Sequence, residues 1–384
     1  MSNLKFKFHS SAYNTPGNAR YQHTSVVLAE GFQASGIEFY GNIDYWWIVE
    51  EGCFLIKEAP QDFDAEVHIY SSHLLLDNPS YLEQVDWSKF NVLLDNEDGF
   101  DTPAMDPLYK DFDLILRCHV NTKFWHFKEK MDWADHKLAT YLPQVKSWNF
   151  GLSNRIIESI EKYSAESTDD KVLCNFRMPH NVRKLGVEGF NKVLSSKYEI
   201  YDNITDGQEV LETDDEKSYW AQTGRRHNEL YYKDINSSKL TYAFGGKLWE
   251  DPVGSNLVLK LKHKFFKALD FIKKRISKRV YYSTEIYTMT QYGGWRFFES
   301  FLSNTVPIQI DLDYWACEWP VLPIPGEHYW AVKGMDFEGS ARELMKLSDQ
   351  ELKRISENGR KWVLDNYSPK PIADRFLSYI KLKT

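Results

Sequence analysis

The sequence predicts an α/β protein built from two similar halves, each an open, mostly parallel sheet covered by helices. Short apolar, β-rich runs alternate with helical stretches along most of the chain, the pattern of parallel strands joined by helical crossovers. A strand, a polar loop and a helix open the chain, and the same succession begins again near residue 170. The 384 residues are 42% hydrophobic and 27% charged, enough for two medium cores and too apolar for disorder.

In the first half, Leu4 to Phe8 alternates as a strand and a Gly/Pro/Asn loop follows over 14–20. His23 to Ala34 then carries Val26, Val27, Ala29 and Glu30 at helical spacing, and Gly36 stops that helix. IEFYG, AEVHIY, FNVLLD and DLILRC read as further buried strands. Periodicity fades through LPQVKSWNFGLSN, ahead of a helix from Arg155 to Tyr163 and the polar patch SAESTDD, which places a domain boundary near residue 150. Beyond it, KVLCNF reads as a strand, RMPHNVRK as a polar loop, Val187 to Leu194 as a helix and YEIYDNI as a strand. From Asp349 onward, Leu352, Ile355, Trp362 and Val363, then Ile372, Phe376 and Ile380, mark two helices broken near Ser368 to Pro371. The expected domains are 1–148 with a returning tail at 368–384, and 149–367.

Composition narrows the partners. A net charge of −8 lacks the basic field with which nucleic-acid binders neutralise phosphates, so nucleic acid is not expected as a partner. Cys53, Cys118, Cys174 and Cys317 form no C-x-x-C pair, so the expectation is a reducing cytoplasm and no metal site. The opening MSNLKFKFHSS has no long apolar region and no 18 uncharged apolar residues run together, so neither a secretory leader nor a membrane span is expected. Aromatics reach 15%, which serves a core first and sugar-stacking platforms second.

The segment QYGGWRFFESFLSNTVPIQID carries the most chemistry. Gln291, Tyr292, Gly293 and Gly294 form a glycine loop ahead of a helix from Trp295 to Leu302, an arrangement suited to a phosphate or a ribose. Glu299 on that helix has two oxygens able to accept from vicinal hydroxyls, and Arg296 in its first turn is unfavourable for the helix dipole unless an anion is near. Arg177, His180, Arg183 and Lys184 occupy the loop after KVLCNF, where open α/β sheets bind ligands, and are suited to a diphosphate. On the first half, His23, His119 and the cluster Asp95, Glu97 and Asp98 follow expected strands and are the candidates for an acceptor base. Asp95 or Glu97 is preferred, then His119.

This segment, with YYKDINSSKLTYAFGG and NGRKWVLDNYSPKPIADRFLSYI, resembles the C-terminal donor half of GT-B glycosyltransferases, of the exostosin, fucosyltransferase or group 1 kinds. The resemblance implies two Rossmann-like domains facing across a cleft, with the closing helix crossing back to the first. It implies sugar transfer from a nucleotide diphosphate sugar, used as co-substrate without a cofactor or metal, to a glycan or lipid-linked glycan acceptor. Glu299 matches the family's ribose-reading Glu; Gln291 stands where many retaining members have a second Glu, a departure that bears on the stereochemical outcome. Nucleotide-sugar epimerisation, or glycan or partner binding without catalysis, are the competing readings on the same scaffold.

Residues 257–280 form one further element, with Val258, Leu261, Phe265, Leu269, Ile272 and Ile276 on a stripe and nine Lys/Arg elsewhere. Packing of that stripe on its own domain is the expected arrangement, and peripheral contact with an anionic membrane is the second.

Overall fold

A computed structural model describes residues 4–11, 22–48, 50–98, 102–123, 140–165, 167–176, 181–202, 213–214, 217, 228–250, 257–277, 282 and 284–381. The first domain holds β1 (Phe6–His9), β2 (Phe39–Gly41), β3 (Tyr45–Ile48), β4 (Cys53–Ile56), β5 (Val67–Ser71), β6 (Phe90–Asp95), β7 (Leu114–Arg117), β8 (Val120–Asn121) and β9 (Val145–Ser147). Six of these make a parallel sheet in the order β2-β1-β5-β6-β7-β9. The runs FNVLL and LILR are buried throughout their interior, as strands covered on both faces should be. The antiparallel hairpin of β3 and β4 is an addition with no clear alternation in the sequence to announce it.

The helix His23–Ala34 follows β1 over the bounds expected, yet it is buried along every residue from His23 to Phe32. One face lies on the sheet, where the Phe32 ring packs at a tilt against Phe6, centroids 4.5 Å apart. The other is covered by the helix Pro369–Lys381, whose Phe376 ring meets Phe32 at 5.6 Å. Gly31 permits this crossing, because a methyl there would collide with the Pro369 carbonyl and Ala373. The closing helix thus returns from the second domain to complete the first.

The second domain holds β10 (Asp169–Cys174), β11 (Glu199–Asp202), β12 (Ser238–Tyr242), β13 (Lys247–Glu250), β14 (Tyr287–Thr290), β15 (Val306–Ile310), β16 (Cys317–Glu318) and β17 (Trp330–Val332). Its parallel sheet runs β11-β10-β12-β15-β17, and β13 pairs antiparallel with β14 as a separate arm. The helix expected from Val187 begins at Asn181, so Arg183 and Lys184 lie in its first turn and not in a loop. The tail forms the helices Asp349–Tyr367 and Pro369–Lys381, the first opened by a capping box of Ser348 and Glu351.

The amphipathic helix forms as Leu257–Ser277, but its stripe does not pack. Leu261, Phe265 and Ile272 are 59%, 60% and 49% exposed, and Leu269 is half-buried. The buried position is instead Asp270, supported by half-buried His263 and Phe266 on the opposite face. The side chains of Val258 and Ile276 lie outside the described residues.

Contacts on one side join the two domains. β8 pairs antiparallel with β16, and Asn121 Nδ2 donates to the carbonyls of Met289 and Trp315, each at 3.0 Å. Glu30, on the first helix, accepts the Asn154 backbone N–H at 2.8 Å and so caps a helix, Asn154–Lys162, that has no side-chain cap of its own. Burial raises the Glu30 pKa to about 8, although the Asn154 hydrogen bond and Arg155 pull the other way. Folded protein therefore holds a proton that unfolded chain releases, and this contribution to stability is lost as pH rises from the ordinary glutamate range toward 8. Glu30→Gln keeps an oxygen for the cap and removes the titration. Its melting temperature should exceed that of the parent above pH 8, by on the order of a few kcal/mol in stability. Parallel melting profiles of parent and variant from about pH 5 to about pH 9 would rule out the linkage.

Candidate functional site

Open parallel sheets bind ligands beyond the carboxyl ends of their strands, where the strand order reverses. In the second domain the chain passes from β10 outward to β11 and then returns to β12 on the other side of β10. The crevice at that reversal is bounded by Asn175 and Phe176 after β10 and by Ala243 to Gly246 after β12.

Arg296 points into this crevice. Its Nη2 donates to Asn175 Oδ1 at 3.0 Å, and its guanidinium carbon lies 5.9 Å from the Phe176 and Tyr231 rings. Its Nε is buried and, among the described residues, finds no acceptor, a deficit that buried donors seldom carry. Arg183 reaches the same ring, with its guanidinium carbon 5.3 Å from Phe176 and its Nε donating to the Phe244 carbonyl at 2.9 Å. Two cations therefore flank one aromatic platform at the strand ends. Glu299, 2% exposed, accepts a hydrogen bond from the Tyr231 hydroxyl.

The loop that delivers these groups turns at Gln291, whose φ is 54°, and ends at Gly294, which starts the helix Trp295–Leu302 without a side-chain cap. A side chain at Gly294 would meet nothing within 4 Å, so this helix start faces open space. Gly293 is confined: a Cβ there would lie 3.1 Å from the His119 ring and 3.3 Å from Trp319. The missing side chain is what lets the loop approach the other domain.

From that domain, His119 follows β7 and is buried. Its Nδ1 accepts the Gly293 N–H at 3.4 Å, and its Nε2 lies 3.3 Å from Asp98 Oδ1. These neighbours place the ring proton on Nε2, toward the carboxylate, and leave Nδ1 facing the glycine loop. Glu97 is bound by Ser72 and His73, each at 3.1 Å. Burial opposes its ionisation, but these two partners outweigh burial and hold its pKa below the ordinary value.

Several sequence candidates take other roles. Asp95 is fully buried opposite Arg117 in the register of β6 and β7, with Arg117 Nη1 at 3.0 Å and further donors from Thr102 and the Ala104 N–H. It is a structural ion pair closed to an acceptor, because the strand end falls inside the domain. His23 is likewise closed, its Nε2 3.0 Å from the Gly151 carbonyl and its ring edge-on to Trp295. Tyr292 is buried as well: its hydroxyl donates toward the Val120 and Glu318 carbonyls at 2.8 and 2.7 Å and so ties the two domains together. Lys184 is 72% exposed and faces Glu188 on its own helix at 4.0 Å. Gln291 stays beside the crevice, while Arg177 and His180 lie outside the described residues. Asn175, Phe176 and Tyr231 belong to the site and were not among the candidates; the out-and-back order of the strands is what marks the first two.

No protein-family model matches the chain, and no curated protein matches its sequence. Solved structures do match its shape. An α-glucosyltransferase in complex with UDP and a 13-mer DNA containing a HMU base superposes with a TM-score of 0.55 at 8% identity, covering 99% of this chain and 100% of that one. A glycosyltransferase from Rickettsia africae ESF-5 gives 0.52 at 9% identity over 100% of both chains. Sucrose-phosphate synthase from Thermosynechococcus elongatus gives 0.52 at 10% identity over 99% of both. The chain has a GT-B fold.

In this GT-B protein the facing ends of the two sheets meet at the loop 291–294, where His119 approaches from one domain and Arg296 from the other. Two surface hollows, of about 510 and 610 Å³, lie at the opposite ends of the strands, by Lys239 and Asn304 and by Lys5 and Gly36. They lack this convergence. In the first domain, the buried Asp95 and Arg117 pair joins the ends of β6 and β7. Asp95→Ala, by stranding a buried guanidinium, should lower stability by about 3–5 kcal/mol in urea unfolding. A loss under ~1 kcal/mol would show that Arg117 finds other acceptors.

Proposed function

We propose that the protein is a glycosyltransferase that moves a sugar from a nucleotide diphosphate sugar to a hydroxyl of a glycan or lipid-linked glycan. The observation that carries this reading is Arg296, a cation with a buried, unsatisfied Nε at the strand-order reversal of a GT-B second domain. An anion of the size of a diphosphate, lying over Phe176 between Arg183 and Arg296, satisfies that donor and both charges. The ribose turns toward Glu299, whose carboxylate is oriented in advance by Tyr231. Negative charge grows on the departing diphosphate as its bond to the anomeric carbon breaks, and the two fixed guanidinium groups stabilise it without a metal. The acceptor oxygen bonds to the anomeric carbon and gives its proton to the exposed Asp98 carboxylate, beside which His119 Nε2 sits at 3.3 Å.

Gln291, in place of an acid, favours a second reading in which the scaffold binds a glycan or a protein partner and does no chemistry. A thermal-shift screen followed by calorimetry separates the two. A nucleoside diphosphate should raise the melting temperature by mass action. Arg296→Gln should weaken the diphosphate tenfold or more, by about 1.5–3 kcal/mol for a charge-assisted bond, and the plain nucleoside far less. Asp98→Asn should leave donor binding intact and slow transfer by roughly 10²–10⁴. Absence of any nucleotide-induced shift, with a shift on adding glycans, would replace this reading with the second.

A further inference from the structure

We propose that the helix Leu257–Ser277 is a docking surface for an anionic lipid bilayer. It is carried outside the second sheet by the arm of β13 and β14, and salt bridges seat it there. Glu250 Oε1 receives His263 Nε2 at 2.8 Å and Lys267 Nζ at 2.6 Å, and Lys262 Nζ meets Glu285 at 2.7 Å. With Asp270 buried, this fixes which face looks outward.

The outward face is apolar at its centre. Leu261, Phe265 and Ile272 recur at i, i+4 and i+11, a single stripe on an α-helix, and are 59%, 60% and 49% exposed. Phe271, 64% exposed, adds to one flank. Cations border the stripe: Lys260, Lys264 and Arg275 are exposed and, among the described residues, have no acidic partner. The segment 257–277 carries seven Lys/Arg and one Asp in a protein of net charge −8.

An apolar stripe with a row of cations along one edge fits the boundary of headgroups and acyl chains, where the rings insert and the cationic groups meet phosphates. A second copy of the same face would bring like charges together, which disfavours self-pairing. The placement also has a use. β14 ends at Thr290, directly before Gln291, so the arm of four paired residues sets the crevice rim about 10 Å from the helix seat. A bilayer-bound helix brings the mouth of the crevice to the membrane surface. The inference stands apart from the donor reading, since it concerns only this helix.

The test is flotation of the whole protein with vesicles of phosphatidylcholine alone and of phosphatidylcholine mixed with phosphatidylglycerol. The protein should float only with the mixed vesicles, and less as salt is raised. Lys260→Gln combined with Lys264→Gln and Arg275→Gln should weaken partitioning by about two orders of magnitude, roughly fivefold for each charge. Leu261→Glu with Phe265→Glu and Ile272→Glu should abolish it. Phe265→Ser alone should weaken it at an unchanged melting temperature, which separates lost docking from lost folding. No flotation with the mixed vesicles, or equal flotation of parent and triple-Glu variant, overturns the proposal. So does self-association in sedimentation that the triple-Glu variant removes while vesicles are ignored.

Discussion

Tyr292 sends its hydroxyl across the domain boundary to the Val120 carbonyl, and the geometry of the crevice follows from that anchor. Around it, β8 pairs with β16, Trp319 Nε1 donates to the Cys118 carbonyl at 3.3 Å, and Lys123 Nζ reaches the carbonyls of Thr284 and Tyr287 at 2.6 and 2.7 Å. These bonds satisfy backbone groups that neither domain satisfies alone. They also fix how closely the glycine loop can approach His119. A tyrosine adjoining the site thus works as a fastening, and its neighbours Gly293 and Arg296 inherit a defined position.

The two cations and the platform between them gain from being on rigid supports. Arg183 is in the first turn of one helix, Arg296 in the first turn of another, and Phe176 directly follows a central strand. Little ordering remains to be done when an anion enters, which is how preorganised charge contributes most. Tyr231 extends the same economy to Glu299 from a third helix, Glu229–Ser237.

Much of this architecture is legible in the sequence because it rests on local patterns. Continuous apolar runs located β6, β7 and β10, and glycine and proline punctuation located the ends of the helices Trp295–Leu302 and Asp349–Tyr367. What escaped depends on partners distant in the chain. Asp95 looked like a rim residue until β7 brought Arg117 opposite it. The helix stripe at Leu261 and Phe265 looked like core because periodicity reports an apolar face and not what covers it. Arg296 and Glu299 were found from their own segment, whereas Asn175 and Tyr231 are recruited from elsewhere in the second domain and carry no local mark.

The helix Pro369–Lys381, wedged against Gly31, has a bearing on the order in which the protein is made. Leu28, Ala29 and Phe32 of the first domain belong to a core that also contains Ala373 and Phe376, and those residues leave the ribosome only after the entire second domain. A nascent first domain must therefore wait with an apolar helix uncovered, a state in which chaperones find their clients. Completion of one half by the last stretch of the other makes the two domains finish folding together.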